Sequence, residues 1–237
     1  MTTRVSIVIP ALDERARIEG TLRSILDLGE RELEACEVIL VDDGSQDGTA
    51  EHAAQVFGDR IRVLRHDTCR GKGAAVRTGV LAASEPWILF VDADLAVPIE
   101  ELPRFLEAAS GAPIVIGSKR IPGSSVLQPG LRRLGGKVGH ALISLFAVRG
   151  FHDTQCGFKL FSAAAAHRLF EHSRLNGFGF DFEILYLARR AGFPVVELPV
   201  QRDNMHAGSV SLKSYLSVLG ELASLMLGRL TGRYRGV

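Results

Sequence analysis

Short β-branched runs alternate with helical patterns through the first half of the chain, and this alternation most constrains the fold. Five apolar runs are typical of buried strands. They read "VSIVIP", "EVILVDDGS", "IRVLRH", "WILFVDAD" and "PIVIGS". Parallel strands joined by helical crossovers form a twisted sheet covered by helices. The sequence therefore predicts an α/β fold with a mainly parallel sheet over Val5–Ser118.

The helical patterns between these runs carry start and stop signals of their own. The first, "DERARIEGTLRSILDLG", begins at Asp13, places Ile and Leu on one face, and is expected to end at Gly29. The second is expected to be capped near Asp47, and the third opens with the glycines of "GKGAAVRTGV". A fourth pattern, "PIEELPRFLEAA", precedes the fifth strand.

The second half is less regular. A loop rich in Gly, Pro and Ser spans Ile121–Gly130, and helices are predicted at Leu131–Val148 and Lys213–Leu230. "CGFKLFS", "GFDFEILYLARRAGF" and "VVELPV" predict a strand, a helix and a strand. We expect one domain over 1–211, built from halves 1–118 and 119–211, followed by a helical extension over 212–237.

Composition excludes several classes of protein. A formal net charge of +1 gives no global reason to expect a nucleic-acid partner. The three cysteines are scattered and lack CxxC spacing, which favours reduced thiols over a disulfide framework or a zinc site. The N-terminus turns polar too early for a signal peptide, and no apolar run reaches ~20 residues. We expect a soluble chain, or one peripheral to a membrane.

Acidic residues follow three of the predicted strands. They are Asp13 and Glu14, Asp42 and Asp43, and Asp92 and Asp94. Ligands of open α/β sheets bind beyond the carboxyl ends of the strands, so these acids are expected to converge. Crowded carboxylates need a compensating cation, and Mg²⁺ or Mn²⁺ takes oxygen ligands. The alternative is that each acid caps a helix or makes a turn, which is ordinary at one strand end and less so at three.

Four segments resemble the donor half of glycosyltransferase family 2, which has the GT-A fold. They are "VSIVIPALDE", "VILVDDGSQDGT", "RGKGAAVRTGV" and "WILFVDADL". In the second half, "DTQCGFKLF" and "FGFDFEILYLARRAG" are similar to polyprenyl-phosphate sugar synthases, first the dolichyl-phosphate β-glucosyltransferases and next the mannose synthases. The resemblance implies inverting, metal-dependent transfer of a hexose to polyprenyl phosphate, from UDP-glucose in preference to GDP-mannose.

The resemblance also implies site roles in the donor half. The nucleotide would contact Pro10, Leu12, Glu14, Lys72 and one of Asp42 and Asp43. Asp92 and Asp94 would form a DxD element, with Asp94 binding the metal. The mannosyl branch often carries a glutamine ligand where this chain has Ala96. A third ligand would then be His206 or water.

In the other half, the resemblance implies that Asp153 and Gln155 contact the acceptor or the donor sugar, although a helix cap accounts for "DTQ" nearly as well. The basic residues around the 121–130 loop are expected to bind the acceptor phosphate, and they include Lys119, Arg120, Arg132 and Arg133. Asp181 falls where relatives place a general base, although Asp181 and Glu183 could simply begin a helix. A phosphate monoester has a second pKa of ~6 and is already ionised at pH 7, so it needs no base. We therefore expect Asp181 to orient a substrate.

A membrane partner is indicated by two local patterns. Basic residues surround the predicted 121–130 loop, and leucines recur at helical spacing between Leu216 and Met226, before three arginines. Such a helix lies in a lipid interface, or packs on the domain or a second subunit. We expect peripheral attachment at the cytoplasmic face, with the oligomeric state left open. The competing hypothesis is a protein that binds a sugar nucleotide without turnover. It is favoured by Ala96 and by the segment "MHAGSVSLK", which keeps the family pattern only in part.

Overall fold

A seven-stranded sheet organises the computed structural model, in which the described residues are 3–124, 147–148, 150–201 and 212–237. The strands are β1 Arg4–Ala11, β2 Ala35–Asp42, β3 Arg62–Arg65, β4 Trp87–Val91, β5 Ile114–Ser118, β6 Phe158–Ser162 and β7 Val195–Pro199. The helices of the described residues are α1 Arg15–Glu32, α2 Thr49–Phe57, α3 Lys72–Ala82, α4 Leu102–Ala108, α5 Ala163–His172, α6 Phe180–Arg190 and α7 Leu212–Leu230.

The strand order is β3-β2-β1-β4-β6-β5-β7, and every pairing is parallel except those of β6. β6 runs antiparallel to β4 on one side and to β5 on the other. The predicted α/β fold with a mainly parallel sheet is confirmed. Because β1, β2 and β4 are parallel, their acidic carboxyl ends lie at one edge of the sheet.

Both faces of the sheet are buried. Val8 and Phe90 pack on one face with residues of α3, α5 and α6. Ile7 and Ile9 pack on the other face with residues of α1 and α4. Alternate strand residues point to opposite faces, so a strand covered on both sides must be apolar at nearly every position. This is why the strand segments were evident as continuous apolar runs.

Helix α1 does not end at Gly29, as its glycine suggested, but continues to Glu32. Gly29 is buried, and a Cβ at this position would lie 2.8 Å from Cβ of Cys36. The glycine therefore allows α1 to approach β2 closely rather than stopping the helix. The prediction of a stop at Gly29 was wrong.

The sequence predictions for the helices of the second half had different outcomes. Helix α5 was not predicted, although Ser162 accepts a hydrogen bond from the Ala165 amide (3.3 Å) and caps it. Helix α7 begins one residue before the predicted Lys213 and ends at Leu230, as expected. Most of the predicted helix Leu131–Val148 lies outside the described residues. No helix of the described chain is long and apolar enough to span a bilayer.

Candidate active site

Hydrogen bonds join the loops after β1 and β2 at the carboxyl edge of the sheet. Asp13 has a φ of 55°, and its amide donates to Ser45 Oγ (2.9 Å) while its Oδ1 accepts the Gln46 amide (2.8 Å). The Glu14 amide donates to Thr49 Oγ1 (3.0 Å). These bonds between the loops fix the position of Glu14 beside the strand ends.

Glu14 is close enough to the acids after β4 to sense their charge. Burial raises the pKa of its carboxyl, and the charges of Asp94 and Asp92 raise it further, while Arg17 acts in the opposite direction. Arg17 Nε lies 2.8 Å from Glu14 Oε2. Glu14 thus lies within range of the charges of Asp92 and Asp94 at the ends of β1 and β4. Of the other residues predicted to contact the nucleotide, Leu12 is exposed and Pro10 is buried within β1.

Asp42 is buried at the end of β2 and engaged with the protein. Its Oδ1 accepts hydrogen bonds from the amide (3.3 Å) and the hydroxyl of Ser45. Its Oδ2 lies 3.3 Å from Nε of Arg65. The carboxylate thus shapes the turn that follows β2.

Asp43 organises the segment that leads into α3. Its carboxylate accepts the amides of Arg70 (2.9 Å) and Gly71 (2.7 Å), and His66 Nδ1 lies 2.7 Å from Oδ1. Burial alone would raise the pKa of Asp43, but these hydrogen bonds outweigh it and the pKa is lowered. Asp43 therefore stays ionised and holds the glycine loop that places Lys72 at the start of α3.

Lys72 and Asp92 form an ion pair across the site. Lys72 Nζ lies 2.6 Å from Asp92 Oδ1, and 5.3 Å and 5.8 Å from the ring centroids of Phe90 and Phe178. Burial would lower the pKa of Lys72, but the charges of Asp92 and Asp181 prevail and the pKa is raised. Asp92 also lies against Gly157, where a Cβ would clash with both carboxylate oxygens. Gly157 thus provides the space that this carboxylate occupies.

Asp94, the second acid of the predicted DxD pair, is half-buried, as Asp92 is. Its Oδ1 accepts the Ala96 amide (3.0 Å), and the intervening Leu95 has a φ of 44°. A carboxylate has further lone pairs after one such bond. Asp92 is already balanced by Lys72, so Asp94 is the better placed of the two to bind a cation.

The donor atoms at this edge fit a hard divalent cation. Carboxylate oxygens suit Mg²⁺ and Mn²⁺, which keep coordination positions for water and substrate phosphates. Among the described residues, no group of three or more His, Cys, Asp or Glu side chains is arranged to hold a metal. Asp92 and Asp94 offer carboxylate oxygens that could bind such a cation. His206, the predicted third ligand, lies outside the described residues.

A second, fully buried ion pair stands beside the first. Lys159 on β6 and Asp181 on α6 are 1% and 3% exposed and are in direct contact, and Lys159 Nζ also donates to the Cys156 carbonyl (2.6 Å). Burial raises the pKa of Asp181 despite the charges of Lys159 and Lys72. Sequence reasoning missed Lys159, although a lysine inside an apolar strand was a signal.

Glu183, the other acid at the start of α6, has structural partners. It is buried and accepts the amides of Arg174 (2.9 Å) and Leu175 (2.9 Å) and the hydroxyl of Tyr234 (2.6 Å). Burial raises the pKa of Glu183, and it also raises that of Tyr234. Glu183 thus links the segment before α6 to Tyr234 near the C-terminus by hydrogen bonds.

In the other half, Asp153 holds a loop beside the end of β5. Its Oδ2 accepts the Lys119 amide (3.0 Å), and its Oδ1 accepts the amide of Gln155 (3.2 Å), whose side chain is exposed. The Arg120 amide faces Ser118 Oγ at 3.4 Å. Lys119, Arg120, Asp153 and Gln155 thus lie in one region of the structure. Arg132 and Arg133 lie outside the described residues.

Comparison with known proteins identifies the family. Residues 6–170 match the model described as glycosyl transferase family 2. The chain belongs to glycosyltransferase family 2. It is 34% identical to dolichyl-phosphate beta-glucosyltransferase of Mus musculus, over 99% of this chain and 78% of that protein. It is 29% identical to the Saccharomyces cerevisiae protein of the same name, over 98% and 76%. The predicted enzyme class is confirmed.

Solved structures agree in fold. The mannosyl-3-phosphoglycerate synthase of Rubrobacter xylanophilus superposes with a TM-score of 0.71 at 22% identity, covering 99% of this chain and 77% of that one. The glucosyl-3-phosphoglycerate synthase of Mycobacterium tuberculosis, solved with Mn²⁺, UDP and glucosyl-3-phosphoglycerate, has a TM-score of 0.67 at 22% identity, covering 98% and 80%. The family's GT-A fold is confirmed.

Proposed function

We propose that the protein transfers glucose from UDP-glucose to a polyprenyl phosphate, with a divalent metal and inversion at the anomeric carbon. Relatives named dolichyl-phosphate beta-glucosyltransferase, 33–34% identical over 99% of the chain, support the glucosyl group and the polyprenyl phosphate acceptor. The structural observation that carries the proposal is the Lys72–Asp92 ion pair beside Asp94 at the carboxyl edge of the sheet. A cation and two carboxylates at this edge support nucleotide binding, because open α/β sheets bind ligands beyond the carboxyl ends of their strands.

The donor diphosphate requires stabilisation of negative charge. When the sugar–diphosphate bond breaks, UDP leaves with the electron pair, and a bound metal would supply Lewis-acid stabilisation of that charge. Asp94 and Asp92 would hold this metal, and the ammonium of Lys72 would lie near the diphosphate. Lys72 stays protonated because its pKa is raised by the neighbouring carboxylates, which prevail over burial.

The acceptor phosphate needs alignment more than deprotonation. Its dianion, dominant at pH 7, attacks the anomeric carbon directly, and one in-line displacement inverts that centre. A general base would have to reach the attacking atom, yet Asp181 is buried and held by Lys159. We therefore propose that Asp181 orients a substrate indirectly, through the charges of Lys159 and Lys72 that it faces. The acceptor is proposed to bind to Lys119, Arg120, Arg132, Arg133 and the Asp153–Gln155 loop.

Helix α7 supports peripheral attachment to a membrane. Leu222 and Leu225 are buried against the domain, so part of the predicted stripe packs on the protein. Leu219, Met226, Leu227 and Leu230 are exposed, Leu230 by 84%, and the exposed Arg233 and Arg235 follow. An apolar face beside arginines suits a bilayer surface with anionic lipids, which favours the cytoplasmic leaflet.

The proposal is tested with the purified full chain, a short polyprenyl phosphate and radiolabelled donors. Transfer from UDP-glucose in the presence of Mn²⁺ or Mg²⁺, abolished by EDTA, is the expected result, and NMR of the product should show the β-anomer. Polyprenol without its phosphate serves as the acceptor control. Preferential use of GDP-mannose would reassign the donor. Nucleotide binding without transfer to any acceptor would favour the non-catalytic alternative.

A further inference from the structure

Glu221 lies on α7 but its carboxylate points towards the loop between α5 and α6. Oε1 accepts the Gly177 amide at 2.7 Å, and Oε2 accepts the Gly179 amide at 2.8 Å. Hydrogen bonds to an ionised acceptor are stronger than those between neutral groups. Each oxygen of this one side chain therefore holds a different point of the segment Leu175–Gly179.

The glycines of this segment make the approach possible. A Cβ at Gly177 would lie 2.7 Å from Glu221 Oε1, and a Cβ at Gly179 would lie 2.8 Å from Glu221 Cβ. Neither residue is among those with positive φ, so the need for glycine is one of space rather than of backbone conformation. A side chain at Gly177 would displace the carboxylate.

The same segment packs on the start of α3, which carries Lys72. The Asn176 carbonyl accepts the Ala74 amide (3.1 Å). A Cβ at Gly71 would lie 2.5 Å from the Asn176 carbonyl oxygen, and one at Gly73 would lie 2.6 Å from that of Leu175. The exposed ring of Phe178 lies over Lys72 Nζ, with 5.8 Å to its centroid. Movement of the segment would therefore displace the groups around Lys72.

We propose that Glu221 is a positioning residue for the transfer reaction. It holds Leu175–Gly179 against the start of α3 and so keeps Lys72 and Phe178 in place at the donor site. Because Glu221 belongs to the helix that exposes the apolar stripe, this contact also links the proposed membrane helix to the donor site. The inference rests on the proposed function for its kinetic readout.

The test compares Glu221→Ala, Gly177→Ala and their double variant in the full chain. Glu221→Ala removes both acceptor oxygens, and the Cβ of Gly177→Ala displaces the same carboxylate from the Gly177 amide. We expect each to lower kcat/KM for the donor by roughly 10²-fold, the size of effect that a 1 Å misplacement produces. The dissociation constant for UDP with Mn²⁺, measured by calorimetry, should rise roughly tenfold. The double variant should be no worse than either single one, because residues in contact do not act additively.

Conservative and control variants separate positioning from stability. Glu221→Gln keeps one acceptor oxygen and should recover part of the loss. Glu32→Gln makes the same chemical change at an exposed residue and should leave kcat/KM unchanged. Ile25→Ala removes a buried side chain of α1 and should lower Tm without raising the dissociation constant for UDP.

Three outcomes would overturn the inference. They are an unchanged kcat/KM in Glu221→Ala, fully additive losses in the double variant, and a loss that merely follows Tm as in Ile25→Ala. A wild-type chain without transfer would refute the proposed function instead. In that case an unchanged UDP dissociation constant in Glu221→Ala would still refute the positioning role, and a roughly tenfold rise would support it.

Discussion

Replacing Gly157 with alanine should impair catalysis while leaving the fold intact. A Cβ at Gly157 would lie 2.7 Å from Asp92 Oδ1 and closer still to Oδ2, whereas ordinary contacts begin at 3.4 Å. Gly157 has no positive φ, so the backbone itself tolerates alanine. The carboxylate of Asp92 is partly exposed and can rotate away, which makes the steric cost small. A carboxylate that has rotated away cannot keep the 2.6 Å contact between Asp92 Oδ1 and Lys72 Nζ.

The magnitude follows from that displacement. The carboxylate must move by about 1 Å or more, and misplacement on this scale costs roughly 10²-fold in rate. We expect kcat for sugar transfer to fall by about this factor, with Tm within a few degrees of the wild-type value. Steady-state kinetics with UDP-glucose and scanning calorimetry measure the two quantities.

A matched glycine provides the control. Gly20 lies on the exposed face of α1 and a Cβ there would meet nothing within 4 Å. Gly20→Ala should retain full activity and gain stability of up to about 1 kcal/mol, since alanine favours a helix. Wild-type kcat in Gly157→Ala, with the metal present, would refute the assignment of Asp92 to the site.

Three further predictions concern the acids. Asp94→Ala should abolish transfer and metal-dependent UDP binding without lowering Tm, and near wild-type transfer with Mn²⁺ would contradict the DxD assignment. Asp181→Asn should lose less than ~10²-fold in kcat, with a pH–rate profile that still rises near ~6; a ~10⁴-fold loss would indicate a general base and a hydroxyl acceptor. Tyr234→Phe leaves the buried Glu183 with one donor fewer and should lower the free energy of unfolding by about 1–3 kcal/mol, measured by urea denaturation; an unchanged value would show that the bond contributes nothing.

The sheet and its acidic edge could be predicted because their signals are local. A strand buried on both faces needs consecutive apolar residues, and a change to carboxylates marks its end, as after Val91. The sequence left open which of Asp42 and Asp43 serves the nucleotide. The structure describes protein partners for both, so that assignment stays a prediction. Helix α5 was missed although Ser162 offered a capping signal.

The contacts that complete the site were beyond local patterns. Lys159 meets Asp181 across 22 positions, and Glu221 meets Gly177 across 44. Periodicity indicates which face of an element is buried, but it carries no information on which distant residue a buried charge will meet. Gly29 was misjudged for the same reason, because its close neighbour Cys36 belongs to another element.

The antiparallel course of β6 limits how this enzyme could be divided or recombined. β6 fills the place between β4 and β5, so its first residues arrive beside the end of β4 and bring Gly157 to Asp92. A fragment ending at Ser118 would leave the apolar edge of Trp87–Val91 without its partner strand, and open edges of this kind aggregate. Chimeras that exchange acceptor specificity should therefore keep Phe158–Ser162 from the same parent as β4, and take foreign sequence only on either side of it.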